Sequence, residues 1–118
     1  MKAYEALQKA QEISKAGMVY DSLRIEKPRE ESTHITSKEE YAALMKAIES
    51  AAGLGLFKIN VRGFNAIDKK VEKMIADEGY TVIINRGMSN VHDENTIVSW
   101  RHAKQGEIGD IITKRNFN

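Results

Sequence analysis

Leu56-Phe57-Lys58-Ile59-Asn60-Val61 alternates from its second residue onward. Phe57, Ile59 and Val61 share one side and Lys58 and Asn60 the other, which is the period of a half-buried β-strand. Upstream, Tyr41, Leu44, Met45, Ile48 and Ala52 recur at helical spacing, so a helix precedes the strand. Ser37 and Glu40 fit a capping box at its start, with Thr36 and Glu39 as the alternative one residue earlier. Gly53 and Gly55 end it. Downstream, Gly63 turns the chain and Asn65 is placed to cap a second helix with Ile67, Val71, Met74 and Ile75 as its apolar positions. Gly79 stands where a C-terminal glycine cap belongs.

Tyr80-Thr81-Val82-Ile83-Ile84-Asn85 is rich in β-formers and predicts a second strand. A polar loop over 86–95 leads to a third, Thr96-Ile97-Val98-Ser99-Trp100, as in a long-looped hairpin. Residues 37–102 therefore predict a compact αβαββ core domain of the α/β (α+β) class with a three-stranded sheet. Parallel and antiparallel placements of Phe57–Val61 both fit.

Two segments flank this module. Residues 1–36 predict an N-terminal helix over 2–16 and an extended connector. The helix has Ala3, Ala6, Leu7, Ala10 and Ile13 on one face, and Gly17 as its stop. An alanine-rich face allows close approach to another helix, in the same chain or in a copy of it. Met18, Val19, Tyr20, Leu23 and Ile25 suit a short strand or an arm, and Pro28 breaks regular structure beyond them. Residues 103–118 form a C-terminal tail carrying Ile108, Ile111, Ile112 and Phe117, too apolar for a solvated tail and too sparse for a core of its own.

The chain has 118 residues with a formal net charge of +1. Basic and acidic residues balance within 1–36 and 37–102 and nearly balance within 103–118, so no polybasic arm or acidic tail exists. This argues against nucleic acid as a partner. Lys69, Lys70 and Lys73 can share one helix face, and a solvated outer face is the simpler account of them. There is no Cys, which excludes disulfides, thiol catalysis and Cys-ligated zinc in this chain. No apolar run is long enough to span a bilayer, so no membrane association is expected, and the charged opening stretch does not suit a signal peptide.

Candidate chemistry is sparse. No P-loop, G-x-G-x-x-G, H-E-x-x-H or G-x-S-x-G pattern occurs. His92-Asp93 with Glu94 in the polar loop could ligate a metal or act as acid and base, but spacing implies no further partner, so no catalytic set, metal site or cofactor is expected. Trp100, Arg101 and His102, with Arg86, can be drawn as a nucleotide site, the indole stacking on a base and the cations holding phosphate. Trp100 serves equally as a core or interface plug, because its area alone accounts for it.

A module of about 66 residues buries only about 60% of the surface its unfolded chain exposes. Three strands leave two open sheet edges, which invite pairing with another chain. A homo-oligomer is therefore expected, with Ala3, Leu7, Ala10, Ile13, Ile108, Ile111 and Ile112 as its contacts.

The step Gly79-Tyr80-Thr81-Val82, followed by Thr96-Ile97-Val98-Ser99-Trp100, resembles a type of small protein carried by tailed bacteriophages. The likeness covers residues 38–102, and its motif residues are a helix stop and strand cores. It implies phage origin and assembly rather than a reaction. The expectation is thus a non-enzymatic, self-assembling phage protein in the virion or host cytoplasm, a minor head or tail decoration or accessory subunit that contacts other phage structural proteins. The alternative is an oligomeric ligand-binding protein that sequesters a nucleotide signal of host defence.

Overall fold

The computed structural model describes residues 1–13, 23–26, 36–62, 67–87 and 95–116. The expectations placed on Gly17, Met18–Tyr20, Pro28, Gly63, Asn65, His92, Asp93, Glu94 and Phe117 lie outside those residues.

Among the described residues, three helices and five strands follow in the order α1 (Ala3–Ile13), β1 (Leu23–Glu26), α2 (Ser37–Gly53), β2 (Lys58–Arg62), α3 (Lys69–Asp77), β3 (Thr81–Gly87), β4 (Asn95–Ser99) and β5 (Ile111–Asn116). The strands form one mixed sheet in the order β1-β2-β4-β3-β5. β4 is antiparallel to both its neighbours, while β1 runs parallel to β2 and β5 parallel to β3. Phe57–Val61 thus enters antiparallel to the third expected strand and does not touch the second.

The expected three-stranded sheet is corrected to five strands among the described residues. The additions come from the two flanking segments: Leu23–Glu26 adds one edge, and Ile111–Asn116 adds the other in place of a tail. Among the described residues each has one hydrogen-bonded neighbour, so both are edge strands.

The register sets the two faces. Ile59, Val98 and Val82 form one cross-strand row, with Val61, Thr96 and Ile84 beside it. All of these are buried except Ile84, which packs against the core from a half-buried position. α2 lies over β2, and α3 over β3 and β5, on this face. Ile48, Ala51 and Ala52 from α2 meet Val71 and Ile75 from α3 in one core. The alanine face of α1 packs on α2 of the same chain, with Ala3, Ala6 and Ala10 fully buried. Lys69, Lys70 and Lys73 are exposed on the outside of α3. Among the described residues no helix is long and apolar enough to cross a membrane.

Of the two capping registers open at the start of α2, the structure takes the earlier one, Thr36 with Glu39. Thr36, not Ser37, is the N-cap of α2, and its hydroxyl accepts from the Glu39 backbone N–H at 3.2 Å. Asp68 is the N-cap of α3. Ser37 and Glu40 serve the second cap instead. Ser37 Oγ donates to Asp68 Oδ2 at 3.0 Å, and the Asp68 N–H donates to Glu40 Oε1 at 3.0 Å. The two helix N-termini are stitched together. At the other end of α3, Gly79 has φ 102°, a left-handed conformation that glycine takes without steric cost.

Candidate interaction surface

The four residues of the drawn nucleotide site do not come together. Trp100 is fully buried. Its Nε1–H donates to the Leu56 carbonyl at 3.0 Å, and its ring meets Tyr80 edge-on at 6.2 Å between centroids. The indole therefore offers no face to a base. Arg101 and His102 are exposed in the turn that follows β4. Thr81 is level with Ser99 at that end of the sheet, whereas Arg86 lies five residues further along β3. At about 3.3 Å per residue it sits roughly 17 Å away along the strand. Among the described residues no group of three His, Asp or Glu could hold a metal ion.

A polar cluster ties α1 to the end of α3. Tyr41 Oη donates to Glu78 Oε1, and Tyr80 Oη donates to the Met1 carbonyl at 2.8 Å. The Ala3 N–H donates to the Glu78 carbonyl at 3.0 Å. Glu78 Oε2 is buried without a hydrogen-bond partner among the described residues. Burial, then the hydrogen bond and charge of Glu78, push the Tyr41 phenol up to about 12. Burial, followed by the charges of Glu78, Tyr41 and Glu5, raises Tyr80 further. Both phenols stay neutral near neutrality and act as donors, Tyr80 to the start of the chain at Met1 and Tyr41, from α2, to Glu78 at the end of α3. A cleft of about 310 Å³ opens at Glu78, lined by Lys2, Glu5, Asp77, Lys104 and Glu107 among others. Its charges are of both signs, and no single ligand charge is favoured there.

The residues expected at an oligomer contact divide into two groups. Ala3, Leu7 and Ala10 are buried within the chain. Ile13, Ile108, Ile111 and Ile112 are exposed, the last three at 73%, 46% and 39%. These three isoleucines lie on or just before β5, at an edge of the sheet. The Val82 N–H donates to the Asp110 carbonyl at 2.8 Å, and Val82 is level with Ile111. In a parallel ladder this pattern turns the main-chain groups of residues 110, 112 and 114 toward β3. Those of Ile111, Thr113 and Arg115 face outward. No described strand pairs with them.

The sheet face opposite the helices carries a cross-strand row of Asn60, Ile97, Ile83 and Ile112. Asn95 Nδ2 donates to Asn60 Oδ1 at 3.0 Å on this side. The apolar part of the row runs to the β5 edge and ends at Ile112. Reading the segment as a tail missed this edge. The β-branched run Ile111-Ile112-Thr113 was the available signal.

Comparisons with protein-family models, with curated proteins and with solved structures find no match to the chain.

Proposed function

We propose that this chain is a non-enzymatic subunit that works by self-association. The observation that carries the reading is the outer edge of β5, where exposed isoleucines accompany outward main-chain donors and acceptors. Exposed edges with apolar side chains pair readily with another chain. A tailed-phage particle is the setting, with the chain as a minor head or tail decoration or accessory subunit. That setting rests on the resemblance of residues 38–102, whose shared features are structural.

Two measurements test the reading. Sedimentation at micromolar concentration is expected to give a particle larger than the 13.3 kDa chain. A strictly monomeric chain overturns self-association. Mass spectrometry of purified particles is expected to find the chain at fixed copy number, and its absence overturns the virion setting.

A further inference from the structure

We propose that two copies of the chain pair antiparallel through β5, about a two-fold axis at Ile112. Ile112 then faces Ile112 of the second copy, and Asp110 lies opposite its Lys114. This rests on the self-association reading and gives it an interface and a register.

The backbone restricts the choices. Outward groups belong to Ile111, Thr113 and Arg115, so these residues must form the hydrogen-bonded pairs across the new ladder. Residues directly opposite in an antiparallel pair share a face of the sheet. A shift of one residue would set an outward group against an inward one and turn one helix layer to the opposite side. The axis must therefore pass through a residue.

Side chains choose among the positions that remain. An axis at Lys114 sets two lysines opposite each other, which is repulsive. An axis at Thr113 places Ile112 against Lys114, and one at Ile111 places Asp110 against Ile112. Only the axis at Ile112 gives apolar opposite apolar and acid opposite base. Ile111 then pairs with Thr113 on the helix-bearing face, and Asp110–Lys114 pairs flank the centre on the other.

The open face supports the same register. The row Ile97, Ile83, Ile112 ends at the β5 edge. With Ile112 at the axis it continues into Ile112, Ile83 and Ile97 of the second copy, as one apolar stripe across a ten-stranded sheet. The two Ile112 residues form a non-hydrogen-bonded pair, the geometry that brings opposed side chains closest, at about 4.5 Å between Cα atoms.

The cysteine-free chain allows a direct test, because one introduced thiol reports only on its own counterpart. Ile112 is partly exposed, so Ile112→Cys is expected to fold, which thermal melting checks. Under mild oxidation it should form a covalent dimer about ten-fold faster than Thr113→Cys, whose counterpart at this register is Ile111. Asp110→Lys and Lys114→Asp should each weaken the dimer about ten-fold in sedimentation, and the double exchange should restore it. If wild type associates while Thr113→Cys links faster and charge exchange has no effect, the register is overturned and self-association stands. If wild type is monomeric, both fall.

Discussion

A Cβ placed on Gly109 would lie 1.8 Å from the carbonyl oxygen of Tyr80. The obstruction is main chain, so no rotamer change relieves it. Gly109 N–H also donates to the Ala76 carbonyl at 2.7 Å, which holds this residue against the end of α3. Glycine here is what lets the chain enter β5 beside β3.

Gly109→Ala should therefore cost about 3 kcal/mol or more, at or beyond the upper end for overpacking, because backbone must move. Gly106→Ala is the control. Its Cβ would meet nothing within 4 Å, but φ is +78°. It should cost about 1 kcal/mol through conformational strain alone. Urea denaturation of both variants checks the difference. Protection of the β3 amides by hydrogen exchange should fall in Gly109→Ala and hold in Gly106→Ala.

Trp100 is the single tryptophan, and its burial makes it a reporter of the core. Its emission should be blue-shifted and insensitive to iodide, and added nucleotides should leave it unchanged. Trp100→Ala should lose about 3–5 kcal/mol through the cavity it leaves. Trp100→Phe fills part of that space but leaves the Leu56 carbonyl unpaired, and about 2 kcal/mol is expected. Fluorescence and chemical denaturation read both effects.

The centre of the fold was legible because burial there is one-sided. Phe57, Ile59 and Val61 alternate with polar residues because one face of β2 meets helices and the other does not. Gly79 announced the end of α3 because a left-handed residue was needed there. The edges were less legible: Leu23 and Ile25 left a short strand and an arm both open, of which the structure takes the strand, and Ile111–Asn116 read as part of a tail. Leu23–Glu26 is four residues long, and Thr113–Asn116 is polar on both sides. Their partners, β2 and β3, lie far away in sequence, and pattern within a segment carries no information about them. The same limit scattered the candidate site. Arg86 and Trp100 flank one loop in sequence, but an antiparallel pair sets their positions at opposite ends of β3 and β4.

The tyrosine pair should govern alkaline stability. Tyr41 is raised from an ordinary value of 10.0 to about 12, and Tyr80 is also raised. The folded state thus favours the neutral phenols. Their contribution is fully present below pH 10 and is lost as pH rises through about 12. The melting temperature should fall over that window. Tyr41→Phe should remove part of the pH dependence while costing about 1–2 kcal/mol at neutral pH, because the Glu78 carboxylate then loses the one donor it has among the described residues. Phenolate absorbance measured alongside unfolding checks that ionisation and loss of structure coincide.

The cross-stitched caps give a separable pair of effects. Thr36→Ala removes a side-chain acceptor from α2 alone and should cost about 1 kcal/mol. Ser37 and Glu40 act across the gap to Asp68, so their removal should weaken the start of α3 as well. Glu40→Ala leaves the Asp68 N–H without its acceptor, whereas Glu40→Gln keeps a carbonyl oxygen in place. The alanine variant should therefore lose about 1 kcal/mol and the glutamine variant less than half of that. A double-mutant cycle of Ser37→Ala with Asp68→Ala should show coupling of about 0.5 kcal/mol, small because the bond is exposed. Additive losses in that cycle would show that the two helix starts are stabilised independently.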